Sequence, residues 1–209
     1  MRSPAIKGFI FDIGGVLIRV DASASIQKIA NILHITPLQV RQAMSPELLT
    51  EYETGNLSGN EFYQNLLKNC QSAHDIDFDF FKFLWQDVLF PKVAEIAFLR
   101  HLVKAFPVWL LSNTNDFHYD LMRRRFDILE IVRGGTYSFK EGFIKPAPEI
   151  FQAALAKTPY APHEVVFIDD RPANVAAARD LGIHAIQYFD YDQMLGELHD
   201  YIPRFIEAL

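Results

Sequence analysis

Apolar residues fall into two regimes along this chain. At the start, Gly8-Phe9-Ile10-Phe11 is a short unbroken apolar run that predicts a strand buried on both faces, followed by Asp12 and the pair Gly14-Gly15. From Ala22 to about Phe90 the spacing becomes helical. Ile26, Ile29, Ala30 and Leu33 share one helix face, and Thr36-Pro37 and Ser45-Pro46 each pair an N-cap with a first-turn proline. Ser58 with Glu61 offers a capping box leading into Phe62, Leu66 and Leu67, and Phe78, Phe81, Phe83, Leu84 and Trp85 predict an aromatic helix in the core of a small bundle. No strand is expected in this segment.

Beyond Pro91 helices and strands alternate. Val93 to Ala105 reads as a helix, Val108–Leu111 as a strand ending at Ser112-Asn113, and the next helix closes on Arg123-Arg124-Arg125, a solvated end suited to the helix dipole. Ile131-Val132 is a weak strand candidate before Gly134-Gly135. Val165–Ile168 is a second clear buried strand running into Asp169-Asp170, Pro172–Leu181 is a helix stopped by Gly182, and His184–Tyr188 is a last strand before amphipathic tail helices. This alternation predicts an α/β fold, a doubly wound parallel sheet, with the all-helical segment inserted after the first strand. The expected division is residues 1–19 and 91–209 for the α/β part and 20–90 for the helical part.

At 209 residues with half of them apolar, the chain has enough material for one full core. The formal charge of −6 gives no electrostatic reason to expect nucleic acid or an anionic membrane. A single cysteine, Cys70, excludes an internal disulfide and a thiolate metal cluster. No run approaches a membrane span, and an acid arrives too early in the first residues for a signal peptide, so the expectation is a cytoplasmic monomer or homodimer.

In a doubly wound sheet the carboxyl ends of the strands line the ligand crevice, which gathers Asp12, Ser112 and Asp169-Asp170. Three carboxylates there repel unless a cation joins them, and an all-oxygen donor set suits Mg²⁺ over zinc. Ser112 and Asn113 precede a helix, where their donors and the helix amides could hold phosphate oxygens, although Ser112 reads equally as an N-cap. Lys145 could add positive charge, while taken singly it reads as a surface lysine. Asp169-Asp170 reads equally as a helix cap. Tyr52, Glu53 and Gly55 precede a predicted turn that reads as a solvated surface loop or as a loop able to reach the crevice, and Asp21 is a candidate acid or a turn residue.

FDIGGVL, LLSNTN, GFIKPAPEIF and VFIDDRPANVAAARDLG, in this order, resemble the four motifs of the haloacid dehalogenase-like hydrolase superfamily. Within it the chain is similar to a phosphatase branch with glucose-1-phosphate phosphatases and the N-terminal phosphatase domains of epoxide hydrolases. The resemblance implies a Mg²⁺-dependent phosphatase acting on a small phosphorylated metabolite such as a sugar phosphate. Asp12 then matches the nucleophile that forms an aspartyl-phosphate, and Ser112, with Asn113, the phosphate-binding position. Lys145 matches the lysine that steadies nucleophile and phosphoryl charge. Asp12, the Gly14 carbonyl and Asp170 match metal ligands, with Asp169 supporting directly or through water. Residues 20–90 match a cap closing over the site. One position departs from the pattern: Gly14 stands where most such phosphatases carry a second Asp as general acid and base. That departure keeps open a 2-haloacid dehalogenase, or a weakly active member that binds phosphorylated ligands or a protein.

Overall fold

The computed structural model describes residues 5–209, so residues 1–4 of the segment 1–19, the start of the stretch weighed as a leader, lie outside it. In chain order the elements are β1 (Gly8–Phe11), β2 (Ile18–Val20), α1 (Ser23–Leu33), α2 (Pro37–Ala43), α3 (Pro46–Glu53), α4 (Gly59–Cys70), α5 (Phe78–Gln86) and β3 (Leu89–Pro91). There follow α6 (Val93–Ala105), β4 (Val108–Ser112), α7 (Asp116–Arg125), α8 (Ile128–Ile131), β5 (Gly134–Tyr137), α9 (Ser138–Glu141) and α10 (Pro148–Ala156). The chain closes with β6 (Val165–Asp169), α11 (Pro172–Asp180), β7 (His184–Gln187), α12 (Tyr191–His199) and α13 (Pro203–Ile206).

Five strands form a parallel sheet in the order β5-β4-β1-β6-β7, with β1 at its centre. Strand alternation sends Phe9 and Phe11 to one face and Ile10 to the other. The Phe9–Phe11 face joins Leu110, Val166 and Ile168 with α6 and α12 in one core cluster. The Ile10 face joins Leu111, Phe167, Phe151 and Ala178 in a second cluster under α10 and α11. Both faces are covered, and this is why the strands read as continuous apolar runs.

The five helices α1–α5 carry a third core of their own, built on Ile29, Tyr52, Phe62, Phe81 and Leu84. Their starts follow the local chemistry. Thr36 and Ser58 close capping boxes with Gln39 and Glu61, Ser45 caps α3 and Asp77 caps α5. Within the aromatic helix Phe81 and Leu84 are buried, but Phe83 is exposed, on the outer side of the turn.

Two strand expectations need correction. β2 and β3 pair antiparallel, Arg19 opposite Phe90, so the chain enters and leaves the helical layer through a two-stranded ribbon. With only three residues in each strand, neither has enough length to show an alternating pattern. On the far edge, the strand lies at Gly134–Tyr137, while Ile131 ends the short helix α8 and Val132 lies between the two. Two glycines hid it. Gly135 is bare because the Tyr137 hydroxyl lies over it, 2.2 Å from where a Cβ would stand.

The helical layer is held to the sheet through the start of α7. Phe117 inserts its ring into the helical core. Its carbonyl accepts from Gln86 Nε2 at 2.7 Å, and the Tyr52 hydroxyl donates to Asp116. His118 Nε2 lies 2.9 Å from the Trp85 carbonyl while Nδ1 lies 3.2 Å from Asn115 Nδ2. That pair of contacts fits a neutral ring with its proton on Nε2. Burial pushes the His118 pKa down to about 4, against the pull of the Trp85 carbonyl.

A histidine held neutral in the fold and free to charge when unfolded stabilises the protein above its unfolded pKa near 6.5 and less as pH falls toward the folded value. Lowering pH from 7 to 5 should therefore cost about 2 kcal/mol through this ring. Urea unfolding at the two pH values checks it, and His118→Gln should shed most of that difference.

Candidate active site

The carboxyl ends of β1, β4 and β6 meet at one edge of the sheet, and Lys145 stands among them. Its Nζ lies 2.9 Å from Asp12 Oδ1 and 2.6 Å from Asp169 Oδ2, and donates to the Leu111 carbonyl at 2.9 Å. The lysine is 2% exposed, so the reading of a surface lysine is overturned. Its backbone is fixed by Asn113, whose amide donates to the Lys145 carbonyl at 3.0 Å and accepts from the Lys145 N–H at 2.8 Å. A single ammonium thus joins the ends of three strands.

Asp169 is fully enclosed. Oδ1 accepts from the Arg171 N–H at 2.8 Å and from Asn174 Nδ2 at 2.9 Å, while Oδ2 takes Lys145 and Asn174. Its oxygens are spent on the protein. Asp170 is only part-buried and borders the cavity. It packs on Gly15, where a Cβ would lie 2.3 Å from its Oδ2 and where φ is +81°, so glycine is required there twice over. Gly14 is different, because a Cβ there meets nothing nearer than Val20 at 3.7 Å. Behind the loop, Lys92 Nζ donates to the Gly15 carbonyl at 2.7 Å and to the Tyr188 hydroxyl at 3.0 Å.

Oxygens of Asp12, Asp169 and Asp170 lie within 4.8 Å of one another. Three carboxylates face one lysine, and the electrostatics record the imbalance. Burial raises the Asp12 pKa, with Asp169 adding to the rise against the pull of Lys145. Burial and the Asp169 charge raise that of Asp170. A hard divalent cation fits this all-oxygen, over-acidic set.

The adjoining cavity, about 560 Å³, is walled by Asp12, Asn113, Lys145 and Asp170 on the sheet side and by Arg19 and Glu53 from the helical side. Ser112 does not reach it. The residue is buried and borders a smaller neighbouring cavity of about 40 Å³ beside Gly14 and Asn113. Nor is it an N-cap, since Asn115 caps α7 by accepting from the His118 N–H at 3.0 Å. The Asn113 side chain is committed to Lys145. Asp21 is paired with Arg19 at 2.9 Å and accepts from the Ser23 N–H, which holds its carboxyl below the usual range in a turn role. Asn174 and Lys92 were not foreseen. Asn174 had one visible signal, a polar residue on the buried face that α11 shares with Val175 and Ala178.

An α/β sheet with an acid after its central strand, a buried lysine and an acidic pair at the end of the neighbouring strand places the chain in the Rossmann-like class. The haloacid dehalogenase-like hydrolase model matches residues 6–182, and the chain belongs to that family. It is 27% identical over 191 residues to a D-ribitol-5-phosphate phosphatase of Bacteroides thetaiotaomicron, covering 87% of this chain and 91% of that protein. A 34% identical stretch of 124 residues matches a (DL)-glycerol-3-phosphatase of Arabidopsis thaliana, covering 50% of this chain and 41% of the relative. The crystal structure of a B. thetaiotaomicron enzyme of the family, in complex with magnesium and inorganic phosphate, superposes with a TM-score of 0.78 at 25% identity. That superposition covers 90% of this chain and 98% of the other.

Removing the central ammonium leaves two buried acids unpaired, so Lys145→Met should destabilise the protein by about 3–5 kcal/mol. Chemical unfolding in EDTA at neutral pH measures this.

Proposed function

We propose that the chain is a Mg²⁺-dependent phosphatase of small phosphorylated metabolites, sugar or sugar-alcohol phosphates foremost, and that Asp12 is its nucleophile. The observation that carries this reading is the hold on Asp12. Lys145 Nζ and the Ile13 N–H, at 2.7 Å, both engage Oδ1, and Oδ2 accepts no protein hydrogen bond among the described residues. One carboxylate oxygen is therefore pinned and the other is left free to attack, an arrangement that fixes orientation before reaction.

In this mechanism the free Asp12 oxygen bonds to phosphorus as the ester P–O bond breaks, giving an aspartyl-phosphate and the alcohol. Water then attacks phosphorus, inorganic phosphate leaves and the carboxylate is restored. Lys145 offsets negative charge on the transferring group, and backbone donors around Asn113 face the phosphate. Asp12, Asp170 and the Gly14 carbonyl would hold Mg²⁺, whose charge would neutralise carboxylate and phosphate. Asp169, its oxygens already spent, orients Lys145 rather than binding metal directly. The helical layer serves as a cap whose cavity wall selects the leaving group, and the buried free thiol of Cys70 suits a reducing cytoplasm.

The deciding experiment is hydrolysis of p-nitrophenyl phosphate with Mg²⁺ and with EDTA, beside Asp12→Asn. Turnover that needs Mg²⁺ and falls to background in the variant is the expected result. Equal rates in wild type and Asp12→Asn would overturn the reading.

Metal binding has its own readout. At a hundredfold excess over its Kd, a bound ion adds about 2.7 kcal/mol, roughly 5–10 °C in Tm for a chain of this size. Mg²⁺ should produce such a shift in the wild type. Asp170→Asn should lose the shift and, freed of one repulsion, be at least as stable as the wild type in EDTA.

A further inference from the structure

An alkoxide is a poor leaving group, so hydrolysis of an alkyl phosphate needs a proton delivered to the ester oxygen. Most titratable groups around the cavity are already engaged. Asp12 is the nucleophile, Asp170 borders the metal site, and Lys145 and Lys92 are tied to strand and loop carbonyls. Arg19 is paired with Asp21, and an arginine does not give up its proton at neutral pH. Both nitrogens of His118 are occupied away from the cavity.

Glu53 is the exception. It ends α3 and borders the cavity, and its carboxylate makes no hydrogen bond or ion pair among the described residues. Its placement is fixed from both sides. On one side Tyr52 is buried, stacked on Phe62 at 4.3 Å, and donates to Asp116 at the start of α7. On the other, Gly55 turns with φ +75° directly against the α9 backbone, where a Cβ would lie 2.1 Å from the Phe139 carbonyl oxygen. Two anchors to the sheet-side elements thus bracket a carboxyl that has no partner of its own. A side chain kept only for solvent has no need of such a mount.

We propose that Glu53 is the general acid and base of the reaction, reaching from the helical layer to the leaving-group oxygen. Its carboxyl gives its proton to that oxygen as the P–O bond breaks and Asp12 bonds to phosphorus. The resulting carboxylate takes a proton from the water that attacks the aspartyl-phosphate, which restores both acids. Burial raises the Glu53 pKa, against the pull of Arg171 and Lys145, and so helps it keep a proton above the usual carboxylate range.

The proposal rests on the phosphatase reading and is tested apart from it by leaving-group dependence. Ethyl phosphate and 2,2,2-trifluoroethyl phosphate share a shape and differ mainly in the stability of the departing alkoxide. Glu53→Gln keeps size and hydrogen bonding but carries no acidic proton. Its kcat/KM for ethyl phosphate should fall about 10²–10⁴-fold. The loss should be at least tenfold smaller for trifluoroethyl phosphate and smaller again for p-nitrophenyl phosphate, which also reports that the variant is folded. An equal loss on all three, or no loss on ethyl phosphate, would overturn the role of Glu53 while the Asp12-dependent p-nitrophenyl phosphate activity still stood. Absence of that wild-type activity would overturn the phosphatase reading and this proposal with it.

Discussion

A single ammonium group, Lys145 Nζ, is shared among Asp12, Asp169 and the Leu111 carbonyl at the ends of three neighbouring strands. Burying a charge costs several kcal/mol unless its partners are well placed, and here each strand supplies one partner. The cluster is thus possible only if the sheet is in register, and the register in turn fixes where Asp12 points. Asp169 completes the arrangement by accepting from Asn174 and the Arg171 N–H, so that its position is set by the first turn of α11. The remaining negative charge, shared by Asp12 and Asp170, is the feature that a cation would balance.

Sheet and helical layer contribute different things to the cavity. The sheet edge holds charge in fixed positions, while the layer above brings Arg19 on the ribbon and Glu53 on α3. The two sides are joined by specific contacts at the start of α7, where Asp116, Phe117 and His118 each meet a different residue of α3 or α5. The opposite wall is thereby placed by contacts as definite as those that place Asp12.

Much of this was legible in the sequence, because strands buried on both faces and helices with strong caps carry their own signals. Asp12 and Asp169-Asp170 were found because acids end apolar runs that cannot otherwise tolerate them. Lys145 was harder. Lysine is so rarely enclosed that its type argues for the surface; the motif around it pointed the other way, and the tertiary meeting of Asp12, Asp169 and Leu111 shows why it is buried. The edge strand at Gly134–Tyr137 was hidden because its glycines make room for the Tyr137 hydroxyl, and the apolar pair beside it belongs to α8 and the link beyond it. Ser112 was placed by its motif, but which cavity it borders depends on a tertiary wall that local sequence does not encode.

The seating of Phe117 in the helical core has a consequence for how the chain is made. The core of α1–α5 is completed by a ring that follows β4, more than two dozen residues after the last of those helices has ended. During synthesis the five helices emerge before Phe117 and so lack one member of their aromatic stack, which Tyr52 and Phe78 meet edge-on in the finished protein. The layer therefore reaches its final packing only when the central strands are available. Maturation of the two parts is cooperative, even though their sequences look separable.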